Sequence, residues 1–375
     1  MSSNPSRVLF VDLARSAAVL FMVQGHTANA LLDPRYGGGL LSDGWVFLRG
    51  LTSCMFLLLS GFSFSLATDR HWDEYRSPGR RVVHRFSRYL LLLVLGYGMR
   101  FPSRTLSGLS TATPEQWQTF AVVDILQLVA VTLALLQVAT WLAGTRVRLM
   151  WWTLCAAAAV VVAAPFSWHA SWSAAAPLFL RAYLTAETGS LFPALPWAAY
   201  VFLGAGLGLW YVRQDEAART TAGARTFLRL GGAMIVAGVL LHQLPWAPFG
   251  DVFFWTISPN LFLVKAGSVL VAVAGAIRLT RQLTRLPRVL TALSRESLLV
   301  YLGHVMLLYG SVWTVGLAQS LGPRYGPAAT VGWIAALLVL VSIAAWTWHE
   351  CKRHATFVAT FVRTSVVVAV LYAVV

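Results

Sequence analysis

Apolar runs of about twenty residues recur along this chain from end to end, and a run of that length is what an α-helix needs to cross a bilayer. Approximate runs fall at 8–32, 45–68, 86–101, 118–142, 149–165, 193–212, 227–244, 258–277, 294–315, 329–348 and 355–375. Between them the chain has little polar surface to show to water. Charged residues make up 11% of it, against roughly a quarter in soluble domains, and mean hydropathy is +0.67. A soluble enzyme, a disordered chain and a disulfide scaffold are excluded. A transmembrane β-barrel is excluded too, because its strands would alternate in hydrophobicity over about ten residues. The expected fold class is all-α: a polytopic integral membrane helical bundle of about 11 transmembrane helices. No linker could hold a second domain, so residues 1–375 are expected to form one domain. The first run carries Asp12, Arg15 and His26, unlike a cleavable signal peptide.

A net charge of +15 and a pI near 10.6 would suggest nucleic acid in a soluble protein. Here the basic residues cluster in short loops between runs, as cytoplasmic loops of membrane proteins do. The richest loop holds Arg70, Arg76, Arg80, Arg81, Arg85 and Arg88, and further basic loops follow the fourth, sixth, eighth and tenth runs. The intervening loops are poor in positive charge, with Arg35 and Arg49 in the first of them. Strict alternation places the N-terminus inside and, with an odd number of spans, the C-terminus outside. Nucleic acid is dropped as a partner. Cys54, Cys155 and Cys351 are scattered without metal-ligand spacing, and no metal is expected.

Ionisable groups inside a bilayer are costly, which makes them functional candidates. Four stand out: His26, Asp124, Lys265 and His304. At 1.5 Å rise per residue, His26 lies roughly 9 Å and Asp124 roughly 8 Å from the outer ends of helices of opposite direction. The two can meet at one depth, with Gln127 one turn from Asp124 on the same face. Counted from Arg295, His304 falls nearer the midplane. A histidine backed by a carboxylate is suited to taking a proton from a hydroxyl or amine. The competing reading is structural, since a membrane histidine can simply bond a neighbouring helix. That reading suits His304 better than His26, which has Gln24, Thr27 and Asn29 crowded beside it. Lys265 can snorkel or pair with a carbonyl, and Asp12 with Arg15 forms an interfacial ion pair. Arg81, Arg85 and Arg88 share one helical face; they could anchor the loop to anionic lipids or clamp a cofactor's phosphates. Gly204, Gly206 and Gly208 lie inside an apolar run, where close helix packing explains them better than a nucleotide loop. A proton relay in a transporter of a small polar solute would use the same ionisable residues, and stands as the alternative to an enzyme.

Four stretches together resemble a known family. They are RVLFVDLARSAAVLFMVQGH (residues 7–26), FLRGLTSCMFLLLSGFSFSLA (47–67) with the arginine-rich loop behind it, FPALPWAAYVFLGAGLG (192–208) and LSRESLLVYLGHVMLLYG (293–310). Their order and spacing are similar to the transmembrane acyltransferase superfamily, most of all to bacterial relatives of heparan-alpha-glucosaminide N-acetyltransferase. They are also similar to acyltransferase family 3. The resemblance implies acetyl-CoA or another acyl-CoA as donor, and a glycan, glycolipid or small-molecule acceptor. It also implies a multi-pass protein of a bacterial inner or plasma membrane, in contact with membrane lipids and open to forming a homodimer. The family-3 pattern has an essential first-helix histidine, which matches His26. In the heparan enzyme that position is asparagine and the catalytic histidine lies in the next outer loop; no histidine occurs here between His26 and His71. The arginine-rich segment matches Arg81, Arg85 and Arg88 as the residues that would meet CoA phosphates. His26, Asp124, Gln127 and His304 are then the candidate catalytic set.

Overall fold

The computed structural model describes residues 8–170, 176–243, 257–358, 360–362 and 364–365, and among these it is helical with no strand. The polytopic helical fold class is observed. Ten of the eleven expected spans correspond to helices. The eleventh falls mostly on residues 366–375, outside the described residues, as do Arg7 and Arg363. Among the described residues, seven helices are both long and apolar enough to cross a membrane. Helix α1 (Leu9–Leu31) has the length at 23 residues, but Asp12, Arg15, Gln24, His26 and Asn29 make it too polar to qualify.

By its contacts the chain divides into two compact units. The first comprises residues up to Thr52, Met99–Trp117 and the segment from Gln282 onward. Here α1 packs against the segments Arg288–Arg295, Ser297–Tyr309 and Pro327–His354. Its buried stripe Val19, Val23, Ala30 and Leu31 meets Leu293, Val300, Leu308, Leu337 and Val341 in one apolar core. Polar pins fix both ends of α1. Near its start, Ser294 donates to Asp12 at 2.8 Å in a buried contact. At its far end, Tyr325 N–H donates to the Leu31 carbonyl and Asp33 N–H to the Tyr325 carbonyl, each at 3.0 Å. Glu296, buried, accepts from His349 at 3.2 Å and Lys352 at 2.6 Å, tying the junction of Arg288–Arg295 and Ser297–Tyr309 to the helix Pro327–His354.

The second unit comprises Ser53–Gly98 and Gln118–Arg281. Within it Ala194–Val212 packs on Arg146–His169, Arg80–Gly98 on Ile125–Ala143, and Glu216–His242 on Pro259–Thr280. Glycine carries the tightest of its crossings. A Cβ on Gly204 would lie 1.9 Å from the Leu58 carbonyl oxygen, and one on Gly61 equally close to that of Val201. This bears out the close-packing reading of the glycines, in which a missing side chain lets two backbones touch. Ser65 uses the same approach to donate to the Ala205 carbonyl at 2.7 Å.

Two expected spans are interrupted. The run 118–142 is not one helix: Pro114–Ala121 ends, residues 122–124 are extended, and a new helix, Ile125–Ala143, begins. The run 294–315 likewise breaks at Glu296 and stops at Tyr309, where Gly310 takes φ 74°. Hydropathy does not register such breaks, because the residues on both sides stay apolar while one polar residue (Asp124, Glu296) turns the chain.

Candidate active site

The first unit brings together two of the four candidate catalytic residues. His26 projects from α1 and His304 from α2, as Ser297–Tyr309 is called from here. The helices run parallel, since Asp12 meets Ser294 at one end while Tyr309 donates to the His26 carbonyl at the other, 3.3 Å away. His26 Nδ1 and His304 Nε2 are 3.0 Å apart, with the rings stacked at 5.2 Å. His304 is fully buried, against half-buried His26.

This corrects the expected depth of His304. Counting from Arg295 assumed a helix continuous from there; with the observed ends, His26 and His304 each lie five residues before the last residue of their helix. Both are therefore ~7–8 Å from that end, at one depth.

The hydrogen bonds fix where the protons are. His304 Nδ1 lies 2.6 Å from the Val300 carbonyl oxygen. A carbonyl only accepts, so this nitrogen carries the hydrogen, and in the neutral ring Nε2 is the acceptor. His26 Nδ1–H therefore donates to His304, leaving a lone pair on His26 Nε2. The side chain against His26, expected to be Asp124, is His304.

Around the dyad the same unit supplies groups that sequence reasoning passed over. Arg49 donates from Nη1 to Asn29 Oδ1 at 3.0 Å, and its guanidinium carbon lies 4.9 Å from the Trp45 ring centre. Its stem occupies the space beside Gly25, where a Cβ would meet Arg49 Cγ at 2.6 Å. Rings of Tyr309 and Tyr301 stand edge-on to His26 and His304 at 6.0 and 5.9 Å. The turn after α1 is closed by Arg35, whose side-chain and backbone hydrogen bonds hold the Asp33 carboxyl below the usual carboxylate range.

The other candidates belong to the second unit. Asp124, buried, is the N-cap of Ile125–Ala143, and its backbone N–H donates to Gln127 Oε1 at 3.3 Å. Both members of this pair thus have a structural use, as a capping box that lets a helix begin among apolar residues. In the arginine-rich segment, Arg85 is buried and turned inward. It donates to Gln137 at 2.8 Å and Thr68 at 3.1 Å, with its guanidinium 3.3 Å from the Tyr75 ring centre. Arg81 and Arg88 are exposed, and Arg81 pairs with Glu74. The three arginines therefore do not present one face: Arg85 ties its helix to Ile125–Ala143 and to the short helix Trp72–Arg76. Lys265, for which snorkelling or a carbonyl partner was the expectation, sits 5.9 Å from the Trp197 ring centre in a cation–π contact. Among the described residues no three His, Cys, Asp or Glu side chains are grouped to hold a metal.

A family model described as "Heparan-alpha-glucosaminide N-acetyltransferase, catalytic" matches residues 7–244, well over half of the chain. The chain belongs to that family. It is therefore a member of a family of membrane acetyltransferases, and a transferase by class. No curated protein matches the chain. The family match includes His26, Asn29, Arg49, Asp124 and the arginine-rich segment, while His304 and Tyr309 lie beyond it. What the site adds to the family assignment is thus a partner for His26 drawn from the last third of the chain. No sequence signal linked the two, because they stand 278 residues apart and their apolar neighbours differ.

Proposed function

We propose that this acetyltransferase moves an acetyl group from acetyl-CoA, supplied from the cytosolic side, to an amine or hydroxyl of a glycan, glycolipid or small metabolite, with His26 as general base. The observation that carries this reading is the lone pair left on His26 Nε2 once His304 has fixed the tautomer. The acceptor's N–H or O–H gives its proton to that nitrogen as its heteroatom attacks the thioester carbonyl. The carbon–sulfur bond then breaks, and the departing CoA sulfur takes the proton from His26. While His26 is an imidazolium, its Nδ1–H bond to His304 becomes charge-assisted and therefore stronger, which favours the intermediate over the resting state. Exposed Arg81 and Arg88 suit the CoA phosphates, while Arg85 holds their helix in place. The N-terminus lies inside, as the alternation of basic loops requires, so the dyad lies in the outer half of the membrane.

The test is transfer of radiolabelled acetyl from acetyl-CoA to a panel of amino sugars and methyl glycosides, using protein in lipid nanodiscs. His26→Ala should lose ~10²–10⁴-fold in turnover, the usual worth of a positioned base. It should still bind acetyl-CoA by calorimetry. Wild-type turnover in His26→Ala, or folded wild-type protein that binds no acetyl-CoA, would overturn the reading.

A further inference from the structure

Arg49 is a cation seated beside the proposed base. Its placement is built: the stem lies in the one gap that a glycine at position 25 opens, directly before His26. Asn29, one turn beyond His26, accepts from Nη1, and the Trp45 ring lies against the guanidinium. Residues 26 and 29 share a helix face, so the guanidinium flanks the segment that carries the base. Among the described residues no carboxylate comes within 4.0 Å of Arg49. Asn29 accepts one hydrogen bond but cancels no charge, and the histidine dyad in its resting tautomer is neutral. The immediate surroundings thus carry one unbalanced positive charge, half-buried and costly unless an anion joins it.

Resting on the acetyl-transfer reading above, we infer that Arg49 is an oxyanion-stabilising catalytic residue, aimed by Asn29 as a positioning residue. Neither a thioester nor a neutral amine or hydroxyl supplies an anion in the ground state. The reaction creates one. When the acceptor heteroatom bonds to the carbonyl carbon and His26 Nε2 takes its proton, the carbonyl π pair moves onto oxygen. The resulting oxyanion takes a charge-assisted hydrogen bond from the guanidinium. It then collapses, re-forming the C=O bond and expelling the CoA thiolate, which recovers the proton from His26. A donor that is held in place before charge develops stabilises the transition state and leaves the ground state alone. Gly25, Asn29 and Trp45 provide that holding, and among the described residues Nε and Nη2 of Arg49 have no acceptor and stay available as donors.

The experiment measures kcat and KM in nanodiscs for Arg49→Ala, Arg49→Lys and Asn29→Ala, beside wild type and His26→Ala. Arg49→Ala should lower kcat by ~10²–10³, the usual cost of one lost oxyanion donor, with acceptor and acetyl-CoA KM unchanged. Millimolar guanidinium chloride should restore part of that loss saturably, and sodium chloride should not. Asn29→Ala should lower kcat less, and Arg49→Lys should retain more than Arg49→Ala. Unchanged kcat in Arg49→Ala overturns the inference and leaves the His26 reading standing. So does a raised acceptor KM at constant kcat, which would make Arg49 a ground-state contact, or a loss of kcat that guanidinium cannot rescue. Absence of transfer by wild type across the acceptor panel overturns the acetyl-transfer reading and this inference with it.

Discussion

Replacing His304 by leucine tests whether the dyad does chemistry or merely packs. The ring is fully buried, and leucine fills a similar volume, so the change removes the acceptor facing His26 Nδ1 with little change in packing. Two losses follow. The imidazolium formed on His26 gives up a hydrogen bond to a charged donor, worth about 1.5–3 kcal/mol. At 1.36 kcal/mol per decade this lowers kcat by roughly 10- to 150-fold. In addition, nothing then holds the hydrogen on Nδ1, so His26 can carry it on Nε2 and present no lone pair. In a serine-protease triad the same tautomer error costs about 10⁴. The acceptor here is a neutral imidazole rather than a carboxylate, and so the expected loss lies near ~10². His304→Gln keeps an oxygen that accepts from Nδ1–H and should recover most of it. The assay is acetyl transfer in nanodiscs, with acetyl-CoA affinity by calorimetry and melting temperature as controls. If His304→Leu turns over like wild type, or folded His304→Gln is as slow as His304→Leu, the orienting role is wrong.

The arginine-rich segment should divide by burial: Arg85→Ala should lower the melting temperature through its lost bonds to Gln137 and Thr68. Arg81→Ala with Arg88→Ala should instead weaken acetyl-CoA binding and flatten its salt dependence by calorimetry. Gly204→Val should block folding or expression, since even a Cβ there would sit 1.9 Å from the Leu58 carbonyl oxygen; a folded, active Gly204→Val protein would contradict the crossing. Turnover should fall with acid, because His26 Nε2 must be unprotonated to act. A pH–rate profile that is flat on its acid side would exclude His26 as base. Reporter fusions at Ser77 and Arg219 should read cytoplasmic and one at Gly38 external; the reverse at any two of these would invert the topology.

Most of the helices were legible because the bilayer leaves the backbone only one cheap arrangement, and a run of apolar residues reports it directly. The breaks were not. Val122 and Val123 are as apolar as a helix interior, and only the capping pair Asp124 and Gln127 turns the chain there. The same residues were read as an intramembrane acid with a polar neighbour, since residue type cannot separate a cap from a catalytic carboxylate. In the sequence Arg49 is indistinguishable from a topology charge at a loop edge. Its seat on Gly25 becomes visible only when the helix Leu40–Arg70 is laid against Leu9–Leu31. Arg85 departs in the opposite direction: helical spacing predicts one face with Arg81 and Arg88, but Arg85 alone of the three reaches inward to Gln137.

A neutral partner for the base follows from where the base sits. A carboxylate at the depth of His26 would have to be stripped of water, at a penalty of several kcal/mol per ion, and would cancel the Arg49 charge before the reaction needs it. It would also bias His26 toward its protonated form, which cannot accept the acceptor's proton. His304 avoids both. Its Nδ1–H is held by the Val300 carbonyl, so it offers a fixed acceptor with no charge of its own. The electrostatic help that a triad draws from its acid must then come from elsewhere, and at a different moment. In the proposed mechanism the charged group is the cation at Arg49, held by Asn29, which would meet the oxyanion rather than the imidazolium. The same distribution makes the two residues separable: losing His304 should act through the tautomer and pH dependence of His26, and losing Arg49 through kcat at every pH where His26 is neutral. A shift of the acid limb in Arg49→Ala larger than that in His304→Gln would reverse the two assignments.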